Sequence, residues 1–192
     1  MKVDKEIFYH ANSNIKYNVG DTIIFDENTT NKMYDLVYNT SFMLNNIDAN
    51  ELMINKKRNK DMNFSIEELQ LLANTVNHSA FVLRELALEE IRLKYCPDLP
   101  SRLRCLYVCE KESDAINWSE VLKRNGKQAK QILTLELTGT IFKGDGSMMY
   151  RVNKPYIEHL KTAKEYWSNS TNKQDEILFM GTAKVIGVKN ID

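Results

Sequence analysis

The sequence predicts an α+β fold with helices mainly in the N-terminal half and a mixed or mostly antiparallel sheet. Three observations predict it. A capped apolar stripe at helical spacing occupies residues 65–95. Short alternating, β-branched runs gather after residue 102. The order strand, helices, strand, helix, strands, helix, strand lacks the regular alternation of βαβ units, so strands and helices are segregated rather than doubly wound. At 192 residues the chain suits one domain, spanning 1–192, with a sizeable core.

Each element has its own signal. EIFYH (6–10) forms a first strand that ends on His10 before a polar loop. VGDTIIF (19–25) is a Gly-Asp turn and a brief β-branched strand. Residues 28–54 are rich in Asn and Thr, but Met33, Leu36, Val37, Phe42 and Met43 suggest one or two modest helices, and the polar 55–63 segment reads as a loop. Ser65 and Glu68 make an S-x-x-E capping box. Behind it, Leu69, Leu72, Val76, Ala80, Leu83, Ala87 and Ile91 recur by threes and fours, giving one long helix, or two with a kink near 77–78. Pro97 and Pro100 stop it. LRCLYVC (103–109) is a buried strand, and 113–124 a helix on Ala115, Trp118 and Leu122, closed by Asn125-Gly126. Residues 131–137 and 138–142 pair as strands before a GDG turn at 144–146. A helix after Pro155 carries Tyr156, Leu160, Ala163 and Trp167 on one face, and 176–188 forms one long strand or two short ones broken at Gly181.

Composition narrows the function. The chain is 43% apolar and 27% charged, with 26 basic residues against 26 acidic, so it lacks the biased charge of a disordered chain and any global field for nucleic acid or an anionic membrane. The basic clusters at 56–60 and 123–130 read as solvated faces before a nucleic-acid groove. Cys96, Cys105 and Cys109 are an odd set with no CxxC pair, so neither a disulfide framework nor metal-ligand spacing is present. A reducing, cytoplasmic home fits them. The first ten residues lack the apolar core of a signal peptide, and no run reaches a membrane span. P-loop, GxGxxG, HExxH and GxSxG motifs are absent.

Three positions then stand out. His78 and His159 sit in helical segments among charged neighbours and read as surface histidines, whereas His10 ends a strand. Taken alone, His10 stays open between a satisfied structural histidine, the commoner case, and a ligand contact. In DLPSRLRCLYV (98–108), Ser101 and Arg102 occupy a rigid loop between two prolines and a strand. An arginine fork there suits phosphate or carboxylate, or simply pairs with Asp98 or a helix terminus. In NKQDEILFM (172–180), Gln174 and Glu176 share one face of the extended chain. A carboxylate at a strand start is either edge protection or, in a cleft, the stabiliser of an oxocarbenium-like transition state.

Together, His10 after an apolar strand, the Ser101-Arg102 approach to a second strand, and Gln174-x-Glu176 opening the last strand resemble the ordered signature of ADP-ribosyltransferases. More closely, FYHAN, RELALEEIR (84–92), LPSRLRCLYV and DEILFMGTAKVIGV (175–188) resemble an uncharacterised bacterial and phage family. The resemblance implies a split mixed β-sheet holding NAD between two halves, with no metal. It assigns His10 to a ribose hydroxyl, with Asn12 where that superfamily often has Thr or Ser. Ser101 and Arg102 would shape the nicotinamide or phosphate side, and Tyr107 would stand for the tyrosine of the second motif, although it suits the core equally. Glu176 would bond the ribose 2′-hydroxyl and stabilise the cation as nicotinamide leaves, while Gln174 would orient the acceptor. Gln-x-Glu in place of Glu-x-Glu argues against an arginine acceptor. The implied function is a cytoplasmic enzyme that transfers ADP-ribose from NAD to an unidentified macromolecule, or to water as a glycohydrolase. The alternatives are an RNA 2′-phosphotransferase-like enzyme on the same fold, or an inactive binding module that uses the 65–95 helix.

Overall fold

The computed structural model describes residues 1–13, 15–124, 126, 129–149, 154–168 and 175–191. Its elements, in chain order, are β1 (Lys2–Asn12), β2 (Thr22–Phe25), α1 (Lys32–Tyr38), α2 (Ala49–Arg58), α3 (Ile66–Tyr95), β3 (Leu106–Val108), α4 (Glu112–Arg124), β4 (Gln131–Asp145), α5 (Tyr156–Ser168) and β5 (Asp175–Asn190). The class is α+β, and every strand pairing is antiparallel.

The sheet runs β1-β4-β5-β2, and β5 is its hub. One edge of β5 pairs with β4 along its whole length. Its other edge takes β3 at Ile177–Phe179 and β2 at Gly181–Lys184. Just beyond β3, Cys109 exchanges two 2.8 Å backbone hydrogen bonds with Tyr9 on the far edge of β1. Residues 106–109 thus bridge the two sides of a curled sheet. Alternation along the strands sorts the core. Leu133, Leu135, Leu137 and Ile141 of β4 meet Ile177, Phe179, Ala183 and Val185 of β5 inside the curl. Each such Leu, Ile, Val or Phe side chain contributes roughly 1.5–3 kcal/mol by leaving water. Leu178 faces the other way, onto a second cluster built with Leu88 and Ile91 of α3 and Ala163, Tyr166 and Trp167 of α5.

Several sequence expectations change. The 131–142 pair is one strand, and it continues through Asp145 before a 3₁₀ turn at Gly146–Met149, so GDG is not a hairpin turn. Gly181 does not break β5. It lies opposite Gly139, and a Cβ on either glycine would stand 2.3–2.4 Å from a backbone oxygen of the opposite strand. Their close approach, with the Phe179 ring packed over both, requires two glycines. The 103–109 strand shortens to β3, because its first residues make turns that carry Arg102 inward. The 55–63 loop gives its first residues to α2, whose C-terminal Lys56, Lys57 and Arg58 suit a helix end. Ser65 and Glu68 form the capping box, and α3 runs unbroken for 30 residues. Its buried stripe is Leu71, Arg84, Glu85, Ala87, Leu88, Ile91 and Arg92, so of the predicted apolar set only Ala87 and Ile91 are buried. His159 is 2% exposed and packs in the interior, not on the surface. Asn125 and Gln174 lie outside the described residues.

Candidate functional site

A cavity of about 480 Å³ opens where the end of β1, the bridge at 106–109 and the start of β5 converge. That volume falls within the range of small-molecule sites. His10 and Ala11 come from β1, Trp118 and Leu122 from α4, Tyr107 from β3, and Asp175, Glu176 and Ile177 from β5. The chain around α1 closes the rim with Phe25, Asn31 and Lys32. His10 and Glu176 therefore line one cavity.

Two carbonyls and an amide fix the floor. Asn31 caps α1 through Oδ1, accepting from the backbone N–H of Met33 at 2.9 Å. Its Nδ2 donates to the carbonyls of Arg102 at 2.8 Å and Cys105 at 2.9 Å, binding α1 to the loop that precedes β3. The Tyr107 hydroxyl donates to the Arg102 carbonyl at 3.1 Å. Nδ1 of His10 lies 2.8 Å from the Tyr107 carbonyl. A carbonyl only accepts, so Nδ1 carries the proton and the neutral ring presents Nε2 as an acceptor. Burial lowers the His10 pKa against a smaller upward effect of that hydrogen bond, which favours this neutral form at pH 7.

The opposite wall is ionic. Arg102 is buried and sits between two carboxylates: Nε donates to Glu85 Oε2 at 2.9 Å, and Nη1 donates to Glu176 Oε2. Tyr166 donates its hydroxyl to the same Glu176 oxygen at 2.6 Å. Tyr166 reaches it because Gly144 is the register partner of Glu176 and has no side chain. A Cβ at Gly144 would stand 2.4 Å from the Tyr166 ring. Burial costs the Arg102 cation, but Glu176 and Glu85 outweigh that cost and raise its pKa well above the ordinary value. Burial likewise pushes the Tyr107 and Tyr166 phenols up, so both remain protonated donors. The hydrogen bonds that Glu176 accepts among the described residues fall on Oε2, and none falls on Oε1.

The nearby thiols make poor nucleophiles. Burial drives Cys105 far above its ordinary pKa and Cys109 up to about 12, so neither supplies thiolate at neutral pH. Among the described residues there is no group of three or more His, Cys, Asp or Glu placed to hold a metal ion.

Of the residues singled out in the sequence, His10, Arg102, Tyr107 and Glu176 meet at this cavity. Ser101 does not line it: its Oγ donates to Glu89 at 2.9 Å and accepts from the Leu103 N–H, a loop-fixing role. Asn12 is also outside the lining; it is buried and donates to the Ile15 carbonyl at 2.8 Å and to Gln131 at 3.2 Å. Arg102 is engaged by two carboxylates rather than offered as a phosphate fork. Sequence reasoning missed Glu85, Tyr166, Gly144 and Asn31. A charge at a core-facing position of a helix was the available signal for Glu85; the others depend on register.

No helix among the described residues is long and apolar enough to cross a membrane. No curated protein matches the chain. A family model described as "Protein of unknown function (DUF2441)" matches residues 8–192, and the chain belongs to that family.

Proposed function

We propose that this chain is an ADP-ribosyltransferase-like enzyme that cleaves the nicotinamide–ribose bond of NAD and passes ADP-ribose to a macromolecular acceptor. The supporting observation is that His10 and Glu176 line one cavity, with one oxygen of Glu176 held by Arg102 and Tyr166. Cleavage of a C–N glycosidic bond builds positive charge on the ribose, and a fixed carboxylate is the group that stabilises it. Arg102 and Tyr166 keep that carboxylate in place. The Nε2 of neutral His10 accepts a ribose hydroxyl and orients the sugar. Trp118 and Tyr107 offer aromatic surface for the planar bases. An RNA 2′-phosphotransferase-like reaction fits less well, because that chemistry wants several free cations in the cleft, and with Arg102 paired to Glu85 and Glu176 the lining offers Lys32 at the rim.

The test is nicotinamide release on incubation with NAD. Glu176→Gln should lower kcat by about 10²–10³-fold, the usual loss for one electrostatic contact to a developing charge. His10→Ala should act chiefly on KM. Binding should hold from pH 8 to the ordinary histidine range and weaken only on its acid side, because burial keeps the imidazole neutral. No release and no calorimetric NAD binding by the wild type would overturn the reading in favour of a binding module. Labelled NAD offered to protein and nucleic-acid fractions would identify the acceptor class.

A further inference from the structure

Glu85 does not line the cavity and reaches the site only through Arg102, yet its side chain is wholly removed from solvent. Oε1 takes Arg84 Nε at 2.9 Å and Nη2 at 2.6 Å, and Oε2 takes Arg102 Nε at 2.9 Å. Arg84 is anchored in turn by the Met149 carbonyl. With Glu176, two guanidinium ions and two carboxylates form a neutral set that is buried except at Glu176. Stability alone is a poor reason for it, since apolar replacements of such sets are often as stable or more so.

Geometry supplies a better reason. Arginine and a carboxylate prefer a two-pronged pair, in which two N–H groups take both oxygens. Arg102 instead gives Glu176 a single contact, from Nη1 to Oε2. Its Nε is held by Glu85, and Nη1 also lies 3.2 Å from the Tyr166 hydroxyl. An arginine released from Glu85 could turn its fork onto Glu176 and occupy Oε1 as well. We infer that Glu85 is a positioning residue: by clamping Nε of Arg102 it limits that guanidinium to one oxygen of Glu176 and keeps the other for the ligand. The catalytic part of this inference rests on the function proposed above; the geometric part does not.

The decisive variant is Glu85→Gln, which keeps the volume and removes the charge that holds Arg102. In its crystal structure both Glu176 oxygens should bond to Arg102, and the ¹⁵N–¹H signal of Arg102 Nε should move away from its wild-type position. Nicotinamide release should fall on the order of 10- to 100-fold, in kcat more than in KM. Adding Arg102→Lys should restore much of the loss, because an ammonium ion makes point contacts and cannot form the two-pronged pair. A merely structural role for Glu85 would predict the opposite, with the double variant worse than either single one. Should Glu85→Gln fail to fold, Glu85→Asp keeps the charge but is too short to grip both arginines, and the same displacement should appear in smaller degree. A folded variant with Arg102 unmoved overturns the inference whatever its activity. Displaced Arg102 in a protein whose wild type releases no nicotinamide overturns the proposed function and leaves the positioning role standing.

Discussion

The two halves of α3 differ in what they bury: only the second hides charge, and only it hides more than one apolar side chain. From Ile66 to Leu83 the helix shows apolar groups to water, with Leu69, Val76 and Leu83 exposed by 52%, 67% and 43%. From Arg84 to Arg92 it hides charge, with Arg84, Glu85 and Arg92 exposed by 8%, 1% and 8%. Hydropathy alone would assign them the other way. The difference lies in what each half rests against. The first half is tied to the short helix α2 by the Lys56–Glu68 ion pair and is secured by its own capping box. The second half packs on α5 and on the loop before β3, where Glu85 finds Arg102, and Glu89 finds Arg92 and Ser101. One helix is held by local backbone chemistry at one end and by long-range ion pairing at the other.

Substitutions should reproduce that gradient. Arg102→Met leaves Glu85 and Glu176 without their shared cation and should cost about 3–5 kcal/mol, read as a lower denaturant midpoint at an unchanged m-value. Gly144→Ala should follow at about 1–3 kcal/mol, because its methyl meets the buried Tyr166 ring. The near-UV circular dichroism of the Phe142–Tyr166–Trp167 cluster should change with it. Ser65→Ala removes the acceptor of the Glu68 N–H and should cost about 1 kcal/mol. Leu69→Ala and Val76→Ala should stay within about 0.5 kcal/mol of wild type. A loss at Leu69 or Val76 comparable with that of Arg102→Met would erase the contrast, and would mean that the exposed stripe is covered in solution.

What could be read from residues alone follows the same division. The start of α3 was legible because a capping box is local, and β1 and β5 because alternating runs need only their own residues. His10, Arg102 and Glu176 were legible as candidates because each sits at a junction between an apolar run and a polar turn. Glu85 was hidden inside RELALEEIR, where the letters of an ordinary charged helix give no hint that Arg102, seventeen positions away, lies against it. Tyr166 was hidden for a different reason. Its reach to Glu176 depends on Gly144 standing opposite in the β4–β5 register, and register is a property of three segments at once. The extension of α2 through its basic residues was missed because polarity was taken as a sign of loop.

Because β5 is the hub, the time at which it arrives governs the rest. Thr22 waits for Lys184 and Tyr107 for Leu178, both closures over long stretches of chain. Such closures are slow, whereas a capped helix forms from its neighbours. A nascent chain halted before Asp175 would hold a finished α3 beside two strands with no edge to join, a species prone to stick to its own kind. Glu176 enters on the same strand that relieves this condition, so the cavity gains its carboxylate only in the step that makes the molecule safe from aggregation.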